Sequence, residues 1–262
     1  PEKKFSPPFQ KQFPNSSPMN PNPLQADAPC GVLLVDKEPD MTSHDAVAIC
    51  RRQLKFKKIG HCGTLDPMAT GLLMLVIGKA TKIQDLLMSE DKEYTGTMTL
   101  GITTGSQDKE SDIVEEKEVP PLTDEEIDLA FKKYVGPFEQ IPPMVSAIKK
   151  NGVPLYKLAR KGIEVERKPR AVHVTDYKIT RTSLPEVDFT VNCSKGFYVR
   201  TYAHDIGQDL GCGAHLSALR RTRSGKFTVD RAMTASDLKS ATAEDIKNSL
   251  ISLAEISLMR GA

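Results

Sequence analysis

The longest purely apolar run in the chain is Leu72 to Ile77, closed on either side by Gly71 and Gly78. Six residues without alternation, bounded by glycine, read as an apolar strand, and they are too few to cross a bilayer. The 13 residues before it, Ile59 to Gly71, hold three glycines and a proline, which makes them a loop. A strand preceded by such a loop commits the chain to a sheet with an irregular segment delivered onto it. Gly31-Val-Leu-Leu-Val, ending in Asp36-Lys37, reads as a second short buried strand. With 262 residues, 39% of them hydrophobic and 27% charged, the protein can build a real core without disulfide or metal staples. Five cysteines with no CxxC pair fit reduced thiols and a cytoplasmic location, and no basic-then-apolar leader opens the chain.

Residues 1–29 hold 8 of the 18 prolines and show no apolar period, the composition of a disordered leader. Beyond them, Thr42 and Ser43 can cap a helix carrying Ala46, Val47, Ile49, Cys50 and Leu54. A helix is expected at Ala80 to Met88, an alternating strand at Glu93 to Leu100, and a helix at Thr123 to Tyr134 opened by a Thr123/Glu126 capping box. Further on, Ala171 to Thr180 and Val187 to Cys193 alternate as strands, while Leu155 to Lys161 and Thr201 to Leu210 read as helices. Leu216 to Lys226 is a basic strand or a helix–strand junction, and Ala235 to Met259 is helical by composition. Strands and helices alternate too irregularly for a doubly wound parallel sheet, so the expectation is one mixed α+β domain over 30–262.

The net charge of +2 points to no partner. By segment it divides sharply. Residues 51–58 carry five positive charges and no acid, 149–170 carry eight against two, and 220–231 carry five against one, whereas 106–126 hold nine acids and two lysines. Solvated helix faces would explain any one cluster. Three together favour a positive face that neutralises phosphates, with the acidic loop directed elsewhere.

Nucleotide-binding glycine loops are absent, and Asp108-x-Glu110-x-Asp112 has Ile113 where a calcium loop needs its turn glycine. Five scattered histidines lack metal-ligand spacing, so neither metal nor organic cofactor is expected. Asp66 stands out: a carboxylate followed by Pro67 and framed by Gly63 and Gly71 sits where backbone can approach a ligand closely. Alone it would be a turn initiator.

The string Gly60-His-Cys-Gly-Thr-Leu-Asp-Pro-Met-Ala-Thr-Gly71 resembles the catalytic motif of the TruB family of tRNA pseudouridine synthases, G-H-x-G-x-L-D-P-x-A-T-G. Six further blocks follow the family's order. They are Gly31 to Pro39, with Glu38 as a departure before the proline, Asp91 to Tyr94, Gln140 to Lys149, Leu155 to Gly162, Cys193 to Thr201, and Leu210 to Arg221. The resemblance implies a pseudouridine synthase fold, a mixed and largely antiparallel sheet flanked by helices with the active-site cleft across it.

For the site, the resemblance implies Asp66 as the catalytic carboxylate, attacking covalently or removing a sugar proton to start a glycal route. Arg200 would be the cation that keeps it ionised, a phosphate contact being the plainer reading. Tyr94 would stack on the extruded uracil, and Tyr198, placed two residues before Arg200 on the same face of a strand, would line the pocket and serve the proton steps at C5. Leu219 would close the pocket, and His61 would enter the RNA loop in place of the extruded base. Core packing is the competing reading for Tyr94, Leu219 and His61. Lys37, with Lys149 and Lys150, would support the active-site loop or contact phosphate. The implied partner is the T-arm of tRNA, bound by a monomer, with position 55 as the target. About 30 residues follow Arg231, too few for the added C-terminal PUA domain of many family members, so the expectation is either a short form or a sequence from which that domain was removed. A guide-RNA-dependent synthase of the dyskerin type and a non-catalytic tRNA-binding or folding module are the alternatives.

Overall fold

In the computed structural model, residues 28–261 are described, so nearly all of the proline-rich stretch at 1–29 lies outside the described residues. In chain order the elements begin with β1 (Gly31–Lys37), α1 (Ser43–Leu54), β2 (Ile59–Cys62), β3 (Thr70–Ile77), α2 (Gln84–Met88), β4 (Lys92–Leu100), β5 (Ile102–Thr104) and β6 (Ile113–Glu116). The middle of the chain supplies α3 (Asp124–Lys132), β7 (Gly136–Gln140), β8 (Lys149–Lys150), β9 (Val153–Pro154), α4 (Leu155–Ala159), β10 (Arg170–Ser183) and β11 (Glu186–Cys193). The remainder is α5 (Val199–Asp209), β12 (Ala214–Ser224), β13 (Phe227–Thr228), β14 (Met233–Thr234), α6 (Ala235–Ser240), α7 (Ala243–Asn248) and α8 (Leu253–Arg260).

Ten strands form one mixed sheet in the order β14-β1-β3-β12-β4-β11-β10-β7, with β2 on β3 and β13 on β12. Only β1/β14 and β3/β12 run parallel. The α+β class with a largely antiparallel sheet is therefore as expected. The unbroken apolar character of β3 has a direct cause, since both its faces are covered. Leu73, Leu75 and Ile77 join the main core with α1, α3 and α5, while Leu72, Met74 and Val76 join a second core under α2 and α8. β4, by contrast, buries Tyr94, Met98 and Leu100 on one face and turns Thr95, Thr97 and Thr99 outward, which is why it alternates. In the main core Phe131 of α3 packs on Phe189 and Tyr202 with ring centroids 5.4 and 5.6 Å apart. Truncating a buried ring of this kind costs about 3–5 kcal/mol.

Several elements differ from expectation. Ile59 to Cys62 is a strand rather than loop, and the helix expected at 80–88 starts as a 3-10 turn, Gly78–Ile83. The helical tail divides into α6, α7 and α8, each opened by its own Thr or Ser cap. At the N-terminus of α1 only Thr42 caps, in a reciprocal bond with Asp45, which frees Ser43 for another task.

The arrangement around β3 positions the site. Along one edge of β3, β12 pairs with Thr70 and Gly71, and β2 pairs with Met74 to Ile77. Where one partner gives way to the other, residues 63–69 leave the sheet as a loop. Gly71 makes this junction possible: its φ is +95°, and a Cβ there would lie 2.3 Å from the carbonyl oxygen of Arg221.

Candidate active site

Asp66 is at the centre of that loop and is clamped from both sides. Ser43 Oγ donates to Leu65 O (3.3 Å) and accepts from Leu65 N (2.9 Å). After it, Pro67 O accepts from Lys37 Nζ (3.0 Å) and Asp40 N (3.1 Å). Lys37 also donates to Glu38 O (2.8 Å) and Met41 O (2.7 Å) and is fully buried. Of the two roles expected of Lys37, the contacts match support of the Asp66 loop rather than a substrate or phosphate contact: its three protons face carbonyls inside the protein. Burial lowers its pKa to about 8, against the opposing pull of Glu110 and Asp66.

Arg200 is the other half of the site. It is 3% exposed, and its Nη2 donates to Asp66 Oδ1 (3.2 Å) and to Val145 O (2.6 Å). Its Nη1 donates to Asp108 Oδ2 (3.2 Å). The strand placing Tyr198 and Arg200 on one face does not exist. Tyr198 is the extended N-cap of α5 and Arg200 the second residue of that helix, and the guanidinium carbon still lies 5.9 Å from the Tyr198 ring centroid.

The acidic stretch also departs from expectation in part. Ile113–Glu116 is exposed as expected, but the start of the stretch folds back so that Asp108, 1% exposed, reaches Arg200, held there by Ser106 Oγ and by Glu110 N (3.0 Å). One guanidinium therefore bridges two carboxylates. Sequence reasoning missed Asp108, and the only signal was its place at the start of an otherwise exposed acidic run. The Asp66 carboxyl is raised above its usual range chiefly by desolvation and further by the charge of Asp108, while Arg200 and Lys37 oppose the shift. A third of its side-chain surface still reaches solvent.

Tyr94 stands on β4 between Val191 and Arg221 and is almost wholly buried. Burial raises the pKa of both Tyr94 and Tyr198, so both phenols are neutral near pH 7, and the charge of Asp66 reaches each. Leu219 lies opposite Gly96 in β12 and borders a cavity of about 460 Å³, together with Met68, Thr70, Lys109 and Arg220. That cavity does not take in Asp66, Tyr94, Tyr198 or Arg200. His61 sits on β2 rather than in a loop, its ring edge-on to His44 at 5.2 Å. Desolvation, aided by His44 and Arg221, lowers its pKa to about 4. Buried polar atoms without a partner include His61 Nδ1, Ser146 Oγ and Arg200 Nε.

Two of the basic segments differ in what they offer. The 220–231 cluster is only partly turned inward, since Lys226 and Arg231 are exposed. Arg220 binds Asp36 through two bonds (2.9 and 2.7 Å), and Arg221 is 2% exposed and donates to Leu72 O (2.7 Å) and Gly63 O (3.1 Å). The 149–170 segment keeps its charge outward: Lys149, Lys150, Arg167, Lys168 and Arg170 line a second cavity of about 260 Å³. Among the described residues no group of three potential metal ligands occurs, and no helix is long and apolar enough to cross a membrane.

A mixed sheet carries a loop carboxylate paired with a buried arginine, and the fold and sequence matches define the class as a pseudouridine synthase. Residues 51–199 match the N-terminal domain of the TruB family pseudouridylate synthases, and residues 200–256 match the C-terminal domain of tRNA pseudouridylate synthase B. The chain is 55% identical to tRNA pseudouridine synthase B of Opitutus terrae over 84% of its own length and 92% of that protein. It is 48% identical to the protein of the same name from Syntrophotalea carbinolica, over 86% and 74% of the two chains. Among solved structures, a Cbf5-Nop10-Gar1 complex matches with TM-score 0.70 and 28% identity, covering 93% of this chain and 69% of that one. The chain belongs to the TruB family.

Proposed function

We propose that the protein isomerises a uridine in the T-loop of tRNA, at position 55, to pseudouridine. The relatives named tRNA pseudouridine synthase B, up to 55% identical over most of both chains, support tRNA as the substrate. The observation that carries the chemistry is the 3.2 Å pair between Asp66 and Arg200. The reaction breaks the N1–C1′ bond, turns the uracil and joins C5 to C1′; the proton lost from C5 is balanced by one gained at N1. Asp66 starts it either at C1′ as a nucleophile or by removing a sugar proton, and both routes need the carboxylate ionised and aimed, which Arg200 provides. The extruded uridine loses its stacking neighbours, and the ring of Tyr94 replaces them. Tyr198, neutral and beside Arg200, can relay the C5 proton, accepting it at the phenol oxygen only as it gives up its own proton. The outward basic segment at 149–170 gives the tRNA backbone its counter-charge.

The test is Asp66→Asn with a T-arm transcript. Pseudouridine formation falls to background while tRNA affinity stays within about twofold, and substantial product from this variant refutes the assignment. The dyskerin-type alternative predicts no activity on bare tRNA without guide RNA and partner proteins, so turnover by the isolated chain separates the two readings. A purely tRNA-folding role would survive the substitution.

A further inference from the structure

Tyr198 and Arg200 both come from the first turn of α5, yet that turn has no side-chain cap of its own. It is held from outside. Gln140, the last residue of β7 and 2% exposed, lays its side-chain amide against the peptide groups of Tyr198: Tyr198 N donates to Oε1 (2.8 Å) and Nε2 donates to Tyr198 O (3.1 Å). Tyr198 O also accepts the first helical bond of α5, from Tyr202 N at 3.0 Å. Five residues beyond Gln140, Val145 O takes the same Arg200 nitrogen that binds Asp66. One short segment thus holds the main chain of Tyr198 and the guanidinium of Arg200. Two hydrogen bonds from one rigid amide fix a neighbour's orientation as well as its distance, which a single bond does not.

We propose that Gln140 is a positioning residue for the reaction, fixing the start of α5 so that Arg200 meets Asp66 and Tyr198 stays beside Arg200. This rests on the assignment of the reaction to Asp66. Gln140 itself touches no substrate; it acts through Tyr198 and Arg200. Gln140→Met keeps the length and removes both bonds, and Gln140→Glu keeps the acceptor and loses the donor.

The experiment measures single-turnover pseudouridine formation and dissociation constants on a T-arm transcript, with thermal unfolding recorded for each variant of the full chain. Gln140→Met slows the chemical step about 10- to 100-fold with tRNA affinity within about twofold. Combined with Arg200→Lys the losses do not multiply: the double variant is no more than about twofold slower than Arg200→Lys alone. A purely structural role would lower stability and leave the two losses independent. If Gln140→Met does not fold, Gln140→Glu carries the same comparison. Wild-type rate in a folded variant, equal loss of rate and affinity, or losses that multiply would each overturn the proposal. Activity in Asp66→Asn would instead remove the reading on which it rests.

Discussion

Replacing Asp108 by Asn removes one negative charge from the site and almost no volume. The carboxylate it alters is 1% exposed and lies 3.2 Å from Arg200 Nη1, on the side of the guanidinium away from Asp66. A hydrogen bond to a charged group contributes about 1.5–3 kcal/mol net. Arg200 keeps Asp66 and the Val145 carbonyl, so it stays in place but less rigidly aimed. If that whole contribution is felt in the transition state, the chemical step slows about 10- to 100-fold, since each 1.4 kcal/mol is about a factor of ten. The pH dependence moves the other way from simple damage. The charge of Asp108 raises the pKa of Asp66, so its loss lets Asp66 ionise at lower pH, and the acidic limb of the rate profile shifts downward. The assay is single-turnover release of tritium from C5-labelled uridine in a T-arm transcript between pH 5 and 8, with filter binding alongside. A wild-type rate, an acidic limb that moves upward, or a loss confined to tRNA affinity would refute the reasoning.

Lys37→Met leaves three main-chain carbonyls around the Asp66 loop without their donor, a cost of about 1–3 kcal/mol per unsatisfied group. Its melting temperature and turnover both drop while tRNA affinity holds; a selective loss of affinity would restore the phosphate-contact reading. His61 has a folded pKa of about 4 against an unfolded value of 6.5. The unfolded chain therefore takes up the proton first, and stability fully present above pH 6.5 is lost as pH falls toward 4, by at most about 3 kcal/mol less what solvent screens. Denaturant titrations of His61→Phe, in which that slope flattens, check it. Binding of tRNA weakens steeply between low and moderate potassium chloride, because the outward cations at 149–170 displace counterions from phosphate. An affinity independent of salt would mean that the basic segment does not meet the backbone.

What the amino-acid order determined by itself is local. An unbroken apolar run at 72–77 and an alternating one at 93–100 report how many faces of a strand are covered, because side chains alternate along a strand and burial selects them one by one. The glycine- and proline-rich residues before the run identified the segment that carries Asp66, since backbone that leaves a sheet needs those residues. The two-residue spacing of Tyr198 and Arg200 suits a strand as well as it suits an N-cap followed by a first helical turn, so periodicity alone misplaced them. Only the tertiary structure decided which charges meet. Lys37 could serve the loop or phosphate in sequence and Arg221 sits in a basic cluster, yet both are buried against main-chain carbonyls. Asp108 looks like one more member of a solvated acidic run, yet it completes the Arg200 pair 92 residues away. The physical reason is that an ion pair is set by distance in space, and distance here follows from the register of the sheet and the folding back of the acidic segment, neither of which leaves a periodic trace in the sequence.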